Sequence, residues 1–285
     1  MNSKHFARIA TLLLLSLSLC AATSFAATHP LNAPQGMAVD SKGNLYVANY
    51  GGNQVLVYSP AYAQLTAKTI SANVSGPSGV AIDPSGNIWV ANSTGSTAGL
   101  GSITEYSAVG GQNTTRTITN GINSPYAIAT DAIGDVWVQN NFSVVTVYPA
   151  FGSSPPSPIK TIPFTNPVTG IATHGMWAAF GGNNNISLQE ISPLLTGVLS
   201  VYGIVPPAGF SLAYDTAGNL YSGNLGDTLT VTTASNNVTT QLVALSYFPY
   251  GIAVDSVRGR IYVSDSNGNK IYVYSTAGAL LKTIQ

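Results

Sequence analysis

The sequence predicts an all-β protein, and three observations support this prediction. A short motif occurs six times along the 285 residues, and its acidic residue, replaced once by histidine, recurs every 40 to 48 residues, at Asp40, Asp83, Asp131, His174, Asp215 and Asp255. Each interval contains four short segments with the residue pattern of β-strands, which we label a to d. A period of about 40–45 residues with several strands per repeat is typical of propeller blades. We therefore predict a six-bladed β-propeller of four-stranded antiparallel blades.

Strands a and b of each unit are predicted to form a tight hairpin. In the first unit, strand a is the Gly-x-Ala segment at residues 36–40, and strand b is the Leu-Tyr-Val segment that begins at Leu45 and is followed by Asn49. An Asp side chain accepts hydrogen bonds from backbone amides two residues further on, and Gly adopts the positive φ that tight turns need. We interpret the five aspartates as turn caps and His174 as a turn residue. The turn glycines are Gly43, Gly86, Gly134, Gly218 and Gly259.

Strands b and c carry the large side chains of the predicted core. Strand b has an aromatic residue at a shared position, and we interpret this series as a packing layer: Tyr46, Trp89, Trp137, Trp177, Tyr221 and Tyr262. In strand c, Glu105 and Glu190 occupy a position that is valine in other units. Because a buried carboxylate needs partners, we expect each glutamate to be partly buried and separately paired.

Strand d, the outer strand of each blade, has a basic residue at one position in four units: Lys68, Arg116, Lys160 and Lys282. A charge on an exposed edge strand blocks edge-to-edge pairing with another molecule. We therefore interpret these four residues as protection of the blade edges.

The first residues are predicted to be a signal peptide. Lys4 and Arg8 precede an apolar run over residues 9–20, and Ser24-Phe25-Ala26 resembles a cleavage site. The run is too short to span a bilayer, so we predict no membrane insertion, cleavage near Ala26, and a secreted or periplasmic protein. Residues 27–285 would then form one propeller, with blades over 31–73, 74–121, 122–164, 165–204, 205–246 and 247–285.

The composition excludes two classes of function. Only 7% of the residues are charged, with ten basic and ten acidic side chains. Nucleic-acid binding through a basic field needs clustered Lys and Arg, so no nucleic-acid partner is predicted. The single cysteine, Cys20, lies within the predicted signal peptide, and the mature chain therefore has no disulfide, thiol nucleophile or thiolate metal site.

The repeated pattern resembles the NHL repeat. It begins with Pro-x-Gly, followed by Ala between two apolar residues and then by Asp. After two more residues come Gly-Asn and a strand that contains Tyr or Trp and is followed by Asn. Units one, two and six match this pattern closely. The resemblance implies a β-propeller. It also implies a choice of functions, because NHL-like propellers include gluconolactonase-type lactonases and streptogramin lyases as well as binding domains without catalytic activity.

The resemblance places a ligand site at the mouth of the propeller. Residues before strand a (Gln35, Ser78, Tyr126, Thr169, Phe210, Tyr250) and after strand b should ring this mouth. The candidate ligand-binding residues are Asn49, Asn92, Tyr126, Asn140, Asn141, Phe142, Asn224, Tyr250 and Asp265. The longer loop over residues 93–101 flanks the mouth and is a further recognition candidate. No cofactor is predicted; a Ca²⁺ ion, if one binds, would use Asp265, Asn224 and Asn140, which offer oxygen ligands.

No catalytic residue is predicted from the sequence. The mature chain has only His29 and His174, too few for a histidine metal cluster, and no Ser–His–Asp arrangement is recognisable. We therefore predict a binding or scaffold module that recognises a carbohydrate, a peptide or a small polar ligand at the mouth. The alternative is a metal-dependent lactonase or lyase of the gluconolactonase or streptogramin-lyase type.

Overall fold

The computed structural model describes residues 30–285 except for 95–100, 109–111, 151–156, 165–166, 176, 183–185, 192–197, 205–208 and 236. The predicted signal peptide and loop residues 95–100 lie outside the described residues. No helix in the described part of the chain is long and apolar enough to cross a membrane.

The described chain folds into antiparallel sheets that follow one another along the sequence, numbered here 1 to 6. Sheet 1 contains β1 (Pro34–Val39), β2 (Leu45–Asn49) and β3 (Gln54–Tyr58). Sheet 2 contains β4 (Pro77–Ile82), β5 (Ile88–Asn92), β6 (Ser102–Tyr106) and β7 (Gln112–Ile118). Sheet 3 contains β8 (Pro125–Thr130), β9 (Val136–Asn140), β10 (Val144–Tyr148) and β11 (Lys160–Pro163).

The remaining three sheets repeat the four-stranded order. Sheet 4 contains β12 (Val168–His174), β13 (Trp177–Gly182), β14 (Ile186–Ile191) and β15 (Val198–Ile204). Sheet 5 contains β16 (Gly209–Tyr214), β17 (Leu220–Asn224), β18 (Thr228–Thr232) and β19 (Thr239–Ala244). Sheet 6 contains β20 (Gly251–Asp255), β21 (Arg260–Asp265), β22 (Lys270–Ser275) and β23 (Leu280–Ile284).

The predicted count of six four-stranded blades is wrong, because the structure has five. In sheet 1, the segment expected to form strand d contains a 3-10 helix, Thr66–Lys68, and pairs with β3 through two isolated bridges, Val55↔Ile70 and Tyr58↔Gln64, rather than as a continuous strand. A helical turn at this point shortens the segment, so it cannot run alongside β3 as a regular strand. Lys68 therefore does not lie on an edge strand.

The first strands of the sheets surround a common axis. Each contacts the first strand of the next sheet, and β20 contacts β1, which closes the ring. The approach at the axis is close: a Cβ atom at Gly251 would lie 2.3 Å from the carbonyl oxygen of Gln35. Glycine at this point lets the innermost strands of sheets 6 and 1 pack against each other.

Side chains hold the ring closed where sheet 6 meets sheet 1. Ser264 Oγ donates to the carbonyl oxygen of Gln35 at 2.8 Å, and Arg258 donates to the carbonyl oxygen of Lys42 at 3.0 Å. Arg260 donates to the carbonyl oxygen of Pro60 at 2.7 Å, and its guanidinium lies 4.8 Å from the centre of the Tyr62 ring. Sheets 1 and 6 share no strand, so packing and these polar contacts join them.

The turns between strands a and b confirm the capping prediction for the aspartates. Asp40 Oδ1 accepts hydrogen bonds from the amides of Lys42, at 2.9 Å, and Asn44, at 2.8 Å. Asp83, Asp131 and Asp215 repeat this pattern, whereas Asp255 caps its turn through Arg258. The five turn glycines all have positive φ, between 61° and 91°. His174 ends β12 beside a two-residue turn, opposite Trp177.

The aromatic layer is confirmed in five of its six members. Tyr46, Trp89, Trp137, Tyr221 and Tyr262 are buried and pair with the alanine of strand a. In sheet 4, Ala172 pairs with Ala179, so Trp177 does not occupy this position. The turn before β13 is shorter than in the other sheets, which extends the hairpin and shifts the alignment by two residues.

Glu105 and Arg116 form a buried ion pair. Arg116 Nε lies 2.9 Å from Glu105 Oε2, and the Glu105 side chain is only 2% exposed. The guanidinium also stacks over the Trp89 ring and donates to the carbonyl oxygen of Ala150. Burial raises the pKa of Glu105, the charge of Arg116 opposes this rise, and Asp83 adds to it. The prediction that Glu105 is buried with a partner is confirmed; the interpretation of Arg116 as edge protection is wrong, because its charge points into the blade. The Glu190 side chain lies outside the described residues.

Candidate ligand-binding site

The innermost strands frame a pocket on the axis of the ring. Each of the six sheets contributes three consecutive residues from strand a or, for Tyr250, directly before it, and the first of each three is Gln35, Ser78, Tyr126, Thr169, Phe210 or Tyr250. These residues are separated by about 40 positions in the sequence, and the structure brings all six together. Among the predicted site residues, Tyr126 and Tyr250 line this pocket.

The pocket is narrow and uncharged. Its free volume is about 60 Å³, and none of the residues that line it is Asp, Glu, Lys, Arg or His. Sites that enclose a whole small molecule are several times larger. The pocket can therefore admit a substituent of a ligand, and the body of that ligand would rest on the rim.

Three aromatic residues line the pocket and two more pack against them, and we name these five the aromatic collar: Tyr126, Phe210 and Tyr250 in the lining, with Phe142 and Phe248 beside them. Phe210 is at the centre, with ring centroids 5.6 Å from Tyr126, 4.6 Å from Phe248 and 6.1 Å from Tyr250, all edge to face. Phe142 extends the collar outward, 5.2 Å from Tyr126. Edge-to-face packing of this kind stabilises the rings in fixed orientations.

Phe210 was predicted to ring the mouth but was not among the candidate ligand-binding residues, and Phe248 was not predicted at either place. The sequence does contain a signal for Phe210, because it occupies the repeat position of Tyr126 and Tyr250. Phe248 lies two residues before Tyr250 and has no equivalent in the repeat, so only the folded chain shows that it joins the collar.

Few polar groups in the pocket are free for a ligand. Ser78 Oγ donates to the carbonyl oxygen of Pro125 at 2.7 Å, and Thr169 Oγ1 donates to that of Gly181 at 3.4 Å. By contrast, Gln35 Oε1 is buried without a hydrogen-bond partner among the described residues. Burial, together with nearby Tyr250, raises the pKa of Tyr126, so this phenol stays protonated and remains a hydrogen-bond donor at neutral pH.

The asparagines after strand b hold the scaffold together. Asn49, Asn92 and Asn140 are buried, and the Oδ1 atom of each accepts a backbone N–H from the residue 17 positions earlier, at 2.7 to 3.0 Å. The side-chain amide of an asparagine also donates to a threonine hydroxyl on strand c of the same sheet. Asn92 donates to Thr104, Asn140 to Thr146 and Asn224 to Thr230. None of these four asparagines lines the axial pocket.

The remaining predicted site residues are divided between the rim and the scaffold. Asn141 and Phe142 are exposed in the turn between β9 and β10. Asp265 is only 7% exposed, and its Oδ1 accepts the amide of Gly268 at 2.8 Å.

A calcium ion does not fit the three residues named for it in the sequence. Asn140 Oδ1 accepts the amide of Asn123, Asn224 Oδ1 accepts the hydroxyl of Ser222, and Asp265 Oδ1 is engaged by Gly268. Since Ca²⁺ needs six to eight oxygen ligands converging on one point, and each of these oxygens already accepts a hydrogen bond from a different part of the chain, they do not form a prepared cation site. Among the described residues, no group of three or more His, Cys, Asp or Glu side chains could hold a metal ion.

Comparison with known proteins supports an NHL-type β-propeller. The family model described as the NHL repeat matches residues 31–58. A structure of streptogramin B lyase is similar over 91% of this chain and 85% of its own, with a TM-score of 0.61 and 16% identity. Virginiamycin B lyase from Staphylococcus aureus is similar over 88% of this chain and 83% of its own (TM-score 0.59, 14% identity). A gluconolactonase from Xanthomonas campestris is similar over 83% of this chain and 84% of its own (TM-score 0.62, 15% identity). No curated protein matches the sequence.

Proposed function

We propose that the chain is a secreted or periplasmic binding module whose axial mouth recognises a neutral carbohydrate. The observation that supports this most strongly is the uncharged pocket bordered by the aromatic collar. An aromatic ring packs well against the apolar C–H face of a sugar, and amide and hydroxyl groups bind its hydroxyls. A charged ligand would leave its charge in this pocket without a partner, which is costly.

The polar groups of the pocket also favour a hydroxyl-bearing ligand. A sugar hydroxyl donates one hydrogen bond and accepts others, so it can accept from the phenol of Tyr126. The Oε1 of Gln35, which is buried without a partner among the described residues, becomes its acceptor only when the Gln35 side chain rotates into the pocket. The small free volume sets the arrangement: one hydroxyl or hydroxymethyl group enters the pocket, and the ring stays on the collar.

Binding to purified residues 27–285 tests this proposal. The probes are cellohexaose, maltohexaose and mannohexaose, with polygalacturonate as an anionic comparison, and the measurement is isothermal titration calorimetry. We expect one neutral probe to bind and Tyr250→Ala to weaken that binding about tenfold or more. The control is Leu225→Ala, because Leu225 is an exposed apolar residue in the turn after β17 that does not line the pocket. Absence of binding to all three neutral probes contradicts the proposal.

The second candidate function is catalysis as a lactonase or lyase. The fold similarity to two lyases and a gluconolactonase favours it. In this pocket the groups available for chemistry are the Tyr126 phenol and the Gln35 amide, which can polarise a carbonyl by donating to it. Incubation with gluconolactone and with streptogramin B, followed by mass spectrometry, tests this candidate. Turnover that is lost in Tyr126→Phe would favour catalysis over simple binding.

A further inference from the structure

The turn between β9 and β10 holds a bulky residue in an unfavourable backbone conformation. Asn141 and Phe142 both have positive φ, 46° and 56°, and the amide of Ser143 donates to the carbonyl oxygen of Asn140 at 3.2 Å to close the turn. Two successive left-handed residues define a type I′ turn, in which Asn followed by Gly is strongly preferred. Asn141 fits this preference, whereas a phenylalanine at the second position is strained.

The turns between strands b and c of sheets 1, 5 and 6 avoid this strain. Their left-handed residues are Asn53, Asp227 and Asn269, and Asn and Asp tolerate this conformation far better than aromatic residues do. The backbone contacts of the turn do not explain the difference. The carbonyl oxygen of Phe142 accepts the amide of Val168 at 2.6 Å, a bond that any residue could make.

The Phe142 side chain is only partly buried. It is 42% exposed, which places it among eight large apolar side chains that are exposed in the described part of the chain. Its ring contacts Tyr126, which lines the pocket. The strained residue therefore presents part of an aromatic ring to solvent at the outer end of the collar, and strain of this kind tends to persist at functional positions.

We infer that Phe142 is the residue on which the sugar ring stacks, and that its strained backbone is the cost of placing this ring at the rim. This inference rests on the proposed function. The Phe142 ring packs against the apolar face of a neutral pyranose, while a substituent of the same sugar reaches the pocket beside Tyr126.

Three substitutions at this position separate strain from binding. Phe142→Gly removes the ring and supplies the residue that a type I′ turn prefers, so we expect Tm to rise by roughly 2 to 6 °C. Phe142→Ala removes the ring but keeps a Cβ atom, so Tm should not rise. Both variants should bind the hexasaccharide that the wild type binds about tenfold more weakly. Phe142→Trp keeps an aromatic ring and should retain affinity within about threefold, which converts to roughly 0.7 kcal/mol.

The outcomes distinguish the inference from the proposal on which it rests. If the wild type binds none of the three hexasaccharides, the proposed function fails and the role of Phe142 fails with it. If the wild type binds one of them and Phe142→Ala binds it equally well, only the role of Phe142 is overturned. If Phe142→Gly lowers Tm, the ring stabilises the fold, and strain at this position no longer argues for a functional role.

Discussion

Replacing Arg116 by methionine tests how the buried carboxylate of Glu105 is stabilised. Methionine keeps most of the length of the side chain, but it removes the guanidinium that lies 2.9 Å from Glu105 Oε2 and 4.9 Å from the centre of the Trp89 ring. The carboxylate would then be left 2% exposed without its charged partner. We expect a loss of about 3 kcal/mol in the free energy of unfolding, the low end for breaking a buried ion pair, because the Arg116 side chain is 27% exposed.

Glu105→Val provides the matched comparison. The same strand-c position is occupied by Val57, Val147 and Val273 in other sheets, so the blade accepts valine there. The double variant Glu105→Val/Arg116→Met should lie within about 1 kcal/mol of the wild type, because an apolar pair of similar size can replace a buried ion pair without loss. Arg116→Met should therefore cost little once Glu105 has been removed.

Urea denaturation followed by circular dichroism measures these differences, and thermal unfolding should show a fall in Tm of roughly 6 to 12 °C for Arg116→Met. Without Arg116, the pKa of Glu105 rises further above its unfolded value. A carboxyl with a raised pKa destabilises the fold as pH rises through that range, so the penalty of Arg116→Met should shrink at acidic pH. Equal penalties for Arg116→Met in the wild-type and Glu105→Val backgrounds would refute this account of the ion pair.

Three further substitutions test other parts of the fold. Burial, with a contribution from Asp131, raises the pKa of Asp135, so Asp135→Asn should stabilise the protein by about 1 kcal/mol in thermal unfolding. The gain in stability should grow from acidic to neutral pH, where the wild-type carboxyl ionises. A gain independent of pH contradicts a raised pKa for Asp135. Gln139 is fully buried, and both polar atoms of its side chain lack a partner among the described residues. Gln139→Met should therefore stabilise the protein by about 1 kcal/mol in urea denaturation. A loss of stability would mean that the amide is hydrogen-bonded through an internal water. Arg260→Ala removes the contacts with Pro60 and Tyr62 that join sheet 6 to sheet 1, so we expect a loss of about 1–2 kcal/mol in the free energy of unfolding. Amide hydrogen exchange should become faster in β1 than in β8. Equal exchange rates in the two strands would contradict a role of Arg260 in closing the ring.

The repeat explains how much of the fold was predictable. Each hairpin is encoded within a few residues: Asp40 caps its own turn, and Gly43 has the positive φ that the turn requires. Such contacts are short in sequence, so the motif alone reveals them. Predictions failed where one copy departs from the motif, at the helical turn near Lys68 and at the shortened turn before Trp177.

The site was less predictable than the fold. The sequence indicates which residues end strand b. Whether their side chains face the mouth or bond to the scaffold depends on hydrogen bonds that only the folded chain shows. Asn92 and Asn140 were predicted at the mouth, and the structure shows their side chains joining strands and loops. Tyr126 and Tyr250 do line the axial pocket, and Phe142 contacts Tyr126.

The sequence by itself determined the repeating unit, the capped hairpins and the absence of a strong charge field, because each depends on composition or on contacts within a few residues. Only the tertiary structure decided how the ring closes, through Arg258 and Arg260 rather than a shared strand. It also decided that Phe248 packs against Phe210 and joins the collar. The physical reason is that the axis brings together residues some 40 positions apart or more, and their contacts depend on how the sheets pack rather than on any local pattern.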